Sequence, residues 1–244
     1  MTLVIDLQYF PEITLYKNVN NFSNIIFEQY EYYQKMSFRN RCRITGAGGI
    51  IDLSIPLEKG RDQKTLLKDV RIAGKGDWQG QHWKTLVSCY SRSPWFEFYR
   101  DELEQLYRKP FHFLLDWNLC CFEWSLGILQ MPISFSLTSA YHKMYEEENW
   151  TDWRGRIRPK NRTLTGPLQG VGNPDPEVDP DASAGGGNNP SPDPGDPAGE
   201  APIKYRQVFE ERIGFQPNLS ILDLLFCEGK NARSLLVTDA QRLK

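Results

Sequence analysis

No run in this sequence approaches the roughly 20 apolar residues that a bilayer-spanning helix requires. The start, Met1-Thr-Leu-Val-Ile-Asp6, carries neither a basic cluster nor a long apolar stretch. The expectation is a cytoplasmic protein without a membrane span. Histidine is scarce: His82, His112 and His142 are the only three and show no ligand spacing, so no metal site is expected. Walker and Rossmann glycine fingerprints are missing, and the sequence therefore names no cofactor. The five cysteines, Cys42, Cys89, Cys120, Cys121 and Cys227, are odd in number and form no Cys-x-x-Cys pair. Four sit in apolar-periodic segments, where free thiols pack as small hydrophobes, and a reducing compartment follows. Aromatic and basic residues do not interleave densely enough for single-stranded nucleic acid; tryptophans such as Trp78, Trp83, Trp95 and Trp117 read as core.

Basic residues are missing altogether between Thr163 and Ile203. That stretch holds seven acidic residues and nine of the 16 prolines, and runs through Gly185-Gly-Gly-Asn-Asn-Pro190. With almost nothing apolar to offset the entropy of ordering, it reads as a flexible acidic linker. All 29 basic residues lie outside it, so the remainder carries a net charge of +5, which permits an anionic ligand without requiring one. At 244 residues and 40% hydrophobic content, the chain can bury one substantial core. The expected organisation is a core of residues 1–162, a linker of 163–203, and a C-terminal segment, 204–244, completing the same domain.

What is present reads as an α/β fold. Leu3-Val-Ile-Asp-Leu7 suits a buried strand ended by Pro11, residues 12–22 carry helical spacing, and Asn24-Ile-Ile-Phe-Glu28 suits a second strand, giving a parallel β-α-β start. Residues 41–44 and 50–55 flank Gly46-Ala-Gly-Gly49 as a hairpin, and Val70-Arg-Ile72 predicts one more short strand. The middle third is helical. One helix carries Trp78, His82, Thr85 and Cys89 on a face, a second is capped by Ser93-Pro94, and a third spans about 111–129 with Asn118 on its apolar face. Residues 133–137 alternate as a half-buried strand, and Ser220-x-x-Asp223 opens a short helix closed by Gly229. The whole is a mixed sheet and a hairpin, with helices packed on the sheet.

Certain motifs carry a family resemblance. Gln8-Tyr-Phe-Pro11, Glu28-x-x-Glu31-x-Tyr33-x-Lys35-x-Ser37-Phe-Arg-Asn-Arg41, Ile55-Pro56, Trp78-x-x-x-His82-Trp83 and Tyr90-x-x-x-Pro94-x-Phe96 occur in the order and spacing of WbqC-like proteins. Asn118, Tyr205-x-Gln207-x-Phe209, Gly214-Phe215 and the run from Leu219 to Leu225 extend the resemblance over nearly the whole chain outside the linker. Two departures stand out. Many members carry proline directly after the first glutamine and aspartates in the second strand, where this chain has Tyr9, Glu28 and Glu31. The resemblance implies a role in the biosynthesis of bacterial surface polysaccharides such as O-antigen, as a glycine or aminoacyl transferase acting on amino sugars.

The residues also carry their own chemistry. Lys35, Arg39, Asn40, Arg41 and Arg43 cluster within nine positions, and in an extended segment the three arginines share one face, a fork suited to phosphate or carboxylate; a solvated strand face is the competing reading. His82, one turn from Trp78, is a general acid or base if its face lines a cleft and a hydrogen-bonded core residue otherwise. Glu28 and Glu31 end a strand where open α/β folds place ligands, and serve either as catalytic carboxylates or as neutralising partners of Arg39 and Arg41. Gln8, Tyr9 and Asn118 complete the candidate substrate contacts. Asp223, three residues after Ser220, is a capping partner rather than a catalyst. Two functions remain: a transferase whose amine acceptor attacks an activated acyl group, with an anionic substrate such as a nucleotide-linked sugar as ligand, or a non-catalytic accessory protein of a polysaccharide pathway. The sequence does not specify an oligomeric state.

Overall fold

The computed structural model describes residues 1–60, 63–145, 148–159 and 201–237. The acidic stretch expected as a linker lies outside the described residues, apart from 201–203.

Leu3, Val4 and Ile5 are completely shielded from solvent. Such a strand belongs in the interior of a parallel sheet covered on both faces. β1 (Thr2–Asp6) takes that place, with β2 (Asn24–Glu28) on one side and β6 (Trp150–Asp152) on the other; β5 (Ser134–Leu137) extends the sheet beyond β2. All three pairings are parallel, and the register sets Asp6 opposite Glu28. α1 (Ile13–Val19) makes the crossover from β1 to β2. The β-α-β start therefore forms as read. β3 (Arg41–Gly46) and β4 (Gly49–Ser54) form the separate antiparallel hairpin, Gly49 closing its turn at φ 127°.

The helical middle third comprises α2 (Trp78–Tyr90), α3 (Phe96–Arg108) and α4 (Leu114–Leu129). α4 is apolar nearly all round because it is buried: Phe122 meets Phe27 of β2 edge-on at 5.0 Å and Phe135 of β5 at 5.4 Å, while Tyr16 of α1 lies at 5.8 Å. Of the C-terminal elements, α6 (Ile221–Glu228) and α7 (Ala232–Leu236) join the same core, whereas α5 (Glu210–Ile213) buries no residue. Ser220 N–H donates to the Arg43 carbonyl, Ile221 N–H to that of Pro11, and the Ser220 hydroxyl to that of Phe10.

Three local expectations are corrected. Residues 70–72 form no strand; a 3-10 turn at Leu67–Asp69 precedes isolated bridges from Ile72 to Leu57 and from Arg71 to Phe113. Ser93 does not cap α3, which begins at Phe96; its hydroxyl donates back to the Tyr90 carbonyl at the end of α2. Asp223 is no capping partner either. Its carboxylate is buried and accepts from the hydroxyls of Tyr90 at 2.5 Å, Tyr205 at 2.6 Å and Thr45 at 2.9 Å, so tertiary donors claim it before the local backbone can. Ser220 does cap α6, its oxygen accepting from Leu222 N–H.

Candidate functional site

Parallel strands deliver their last residues to one edge, and here that edge is charged. Asp6 ends β1, Glu28 ends β2, Asp152 ends β6, and Thr138 follows β5. Asp6 accepts from Gly155 N–H at 2.6 Å and from Gln8 Nε2 at 3.3 Å. Its Oδ2 stands 3.6 Å from Arg39 Nη1. On the other side of the same guanidinium, Nε and Nη2 both donate to Glu31 Oε1. Arg39 is thus a fully buried cation between two carboxylates.

A second cation serves the neighbouring strand ends. Arg154 donates to Asp152 through Nε and Nη2, to Glu28 Oε2 at 3.3 Å, and to the carbonyls of His142 and Lys143. Glu28 also accepts from Tyr30 N–H, Thr138 Oγ1 and Tyr145 O–H. Four carboxylates therefore face two guanidiniums at this edge. Burial lifts the Glu31 carboxyl above its ordinary range; Arg39 pulls it down, but Asp6 adds to the rise. Burial opposes the charge on Arg39, yet Asp6 and Glu31 outweigh it and hold the guanidinium above its usual range.

The clustered basic residues do not form one fork. Arg41 and Arg43 share a face of β3 and both bind Asp52 across the hairpin, at 3.2 and 3.0 Å. Arg39 lies before the strand, in a turn closed by the Arg41 N–H to Phe38 carbonyl bond, and that turn breaks the alternation that would have aligned it with the other two. Asn40 is engaged with the Ile55 carbonyl and the Tyr33 hydroxyl. Lys35 is exposed on the loop after β2. Of the two glutamates, Glu31 pairs with Arg39, whereas Glu28 pairs with Arg154 rather than Arg41.

His82 belongs to a different neighbourhood. It is buried, edge-on to Trp78 at 5.2 Å, and its Nδ1 lies 3.1 Å from the Tyr9 hydroxyl. Tyr9 in turn lies 2.5 Å from the Tyr107 hydroxyl. Burial lowers the His82 pKa to about 4, with the Ser54 backbone carbonyl offsetting part of the shift. Hence the ring is neutral at pH 7. His82, Tyr9 and Tyr107 thus form one continuous chain of buried polar contacts. Tyr107 also forms part of the wall of an open groove of about 340 Å³ between α2 and α3. From α4, Asn118 donates from Nδ2 to the Arg39 carbonyl at 2.7 Å. Trp78 packs edge-on against Trp117.

The structure thus brings Gln8, Glu28, Glu31 and Arg39 to one sheet edge, sets Tyr9, Trp78 and His82 in an aromatic interior, and leaves Arg41 on the hairpin face. Sequence reasoning missed Asp6, Thr138, Tyr145, Asp152 and Arg154. Asp6 lies in the first strand and Thr138 directly after β5, both read in the sequence; Tyr145, Asp152 and Arg154 depend on β6, three residues long and too short to show a period. Among the described residues, no group of three His, Cys, Asp or Glu side chains is placed to hold a metal ion. No helix among them is long and apolar enough to cross a membrane.

Fold and edge together define an α/β protein with a carboxylate-rich site at the carboxyl ends of parallel strands, where open α/β sheets bind ligands. The chain belongs to the WbqC-like protein family, whose match covers residues 8–161. It is a polysaccharide-associated family. No curated protein and no solved structure matches the chain.

Proposed function

We propose that this protein is a transferase that acylates an amine on a sugar, passing an acyl or aminoacyl group, glycyl among them, during bacterial surface polysaccharide assembly. The observation that carries this reading is the buried Asp6–Arg39–Glu31 cluster at the carboxyl edge of the sheet. A carboxylate whose proton affinity is raised by burial is the better base for an ammonium group. Glu31 takes a proton from the acceptor's ammonium, the freed lone pair attacks the activated acyl carbon, and the carbon–nitrogen bond forms as the bond to the leaving group breaks, the second nitrogen proton departing with the leaving group. Asp6 and Arg39 hold Glu31 in place. The excess of carboxylates favours the amine at this edge over a phosphate, because the charge of Arg39 is already matched by its two partners. The anionic part of a nucleotide-linked sugar is left to basic residues outside the cluster, of which Lys35 is exposed. His82, neutral and occupied by Tyr9, supports the site from behind through the Tyr9 N–H to Phe38 carbonyl bond.

Glu31→Gln keeps an oxygen for Arg39 and removes the base. Wild-type protein and this variant are incubated with acyl and aminoacyl donors and amino sugars, free and nucleotide-linked, and amide products are read by mass spectrometry. The wild type is expected to form product and the variant to lose 10²-fold or more in rate. An unchanged rate removes Glu31 as the base. The burial of Arg39 between Asp6 and Glu31 favours a second reading, a non-catalytic accessory protein, and a folded wild type that forms no product with any pair supports it.

A further inference from the structure

α2 and α3 hold between them an open groove of about 340 Å³, within the size range of small-molecule sites. Two aromatic side chains line it. Tyr107, on α3, is 4% exposed and held from behind by the Tyr9 hydroxyl at 2.5 Å. Trp83, on α2, is half-buried; its ring lies 6.0 Å from that of Tyr107 and is backed by Phe96 at 5.9 Å and 28°. Gln79 ties the first turn of α2 to the end of α3, its Nε2 donating to the carbonyls of Tyr107 at 2.8 Å and Lys109 at 2.7 Å. The groove is thus braced by contacts within the protein.

Two carboxylates line the same groove. Asp77 caps α2, Oδ1 accepting from Gly80 N–H at 2.9 Å, and a methyl group at position 80 would overlap both carboxylate oxygens. Glycine is a poor helix former, and here it gives the carboxylate room against the first turn. Glu104 Oε1 accepts from Arg108 Nη2 at 2.7 Å, one turn along α3. Each carboxylate keeps a second oxygen that accepts no hydrogen bond among the described residues. Arg108 is the base among the lining residues, and its side chain is 75% exposed, so its charge is spent largely in water. With two acids against one base, the lining is net negative. An anion is repelled there, whereas a cation meets uncommitted carboxylate oxygens beside aromatic rings.

We infer that the groove between α2 and α3 is a binding site for a small organic ammonium ion, its charge directed to Asp77 and Glu104 and its apolar part to Trp83 and Tyr107. The groove shares no lining residue with the Asp6–Arg39–Glu31 cluster, so a protein without transferase activity would keep this site.

Benzylamine, benzyl alcohol and benzoate share one ring and differ in charge at pH 7. Each is titrated into the isotopically labelled full-length protein while the tryptophan indole N–H signals are followed by NMR, and Trp83→Phe removes one signal and so identifies the reporter. Benzylamine is expected to shift the Trp83 signal with saturable binding about tenfold tighter than that of benzyl alcohol, weakening as sodium chloride is raised. Benzoate is expected to leave the signal unmoved. Asp77→Asn preserves the cap, because asparagine caps helices as well as aspartate does, and removes the charge. With an unchanged melting temperature, it should weaken benzylamine about threefold and, combined with Glu104→Gln, about tenfold, leaving benzyl alcohol unaffected. Equal affinity for amine and alcohol, a doubly substituted protein that binds benzylamine as the wild type does, or a Trp83 signal unmoved by every probe overturns the inference.

Discussion

Arg39 and Arg41 lie two residues apart and carry the same charge, but their surroundings make them energetically unlike. Arg39 is enclosed between Asp6 and Glu31, so Arg39→Ala would leave two carboxylates buried without their cation. Removing one partner of such a pair costs about 3–5 kcal/mol. Arg41 is partly exposed and shares Asp52 with Arg43, and Arg41→Ala should cost about 1 kcal/mol or less. Urea denaturation of the two variants should show the contrast directly. His82 carries a pH signature. Its folded pKa, about 4, lies below the unfolded value near 6.5, so the unfolded chain binds the extra proton between those limits. Stability from this residue is complete above pH 6.5 and is lost as pH falls towards 4, on the order of 3 kcal/mol in all. His82→Gln, which does not titrate, should flatten that part of the stability profile when melting is followed from pH 7 to pH 4. The backbone at Phe10 is a further local constraint. With φ at 40°, this residue sits in the left-handed region at a cost of about 1–2 kcal/mol, held by its buried ring and by the Ser220 hydroxyl on its carbonyl.

At the scale of elements, α6 is the junction of the molecule. Asp223 receives hydroxyls from β3, from α2 and from the stretch before α5, so one carboxylate ties three separate parts of the chain to this short helix. The end of α6 is set by Gly229, at φ 54°, over which the Trp95 ring packs closely enough that a methyl group would overlap it. Trp95 N–H also donates to the Phe226 carbonyl, fixing the entrance of α3 to the exit of α6. Gly229→Ala combines a positive φ with a clash against a large ring. It should destabilise by about 3 kcal/mol or more, read as a lowered denaturation midpoint with an unchanged slope. Ser220 and Gly229 announced both ends of α6 in the sequence, because caps are local chemistry. The three hydroxyls on Asp223 come from up to 178 residues away, and no local pattern announces them.

For the molecule as a whole, the described C-terminal residues complete the core rather than decorate it. Leu219, Ile221, Leu222, Leu224, Leu225, Phe226, Ala232 and Leu236 are all completely buried, and the backbone of Pro11 and Arg43 is satisfied by residues 220 and 221. A chain ending at residue 159 would expose the apolar surface these side chains cover. It should show no cooperative thermal transition by circular dichroism, whereas the intact protein should unfold in one step.

Periodicity and caps made most elements legible in the sequence: the parallel start, the hairpin, the three middle helices, β5 and α6 follow from which residues alternate, recur or terminate. The family motifs likewise pointed to Gln8, Glu28, Glu31 and Arg39. By itself the sequence determined what each segment forms, because those preferences act over a few neighbouring residues. Only the tertiary structure decided what each charged group faces: that Arg39 turns inward to Asp6 while Arg41 stays on the hairpin, that Arg154 takes Glu28, and that His82 lies among aromatic rings. Ion pairing and burial are settled by distances between strands remote in the chain, and those distances exist only once the sheet has assembled.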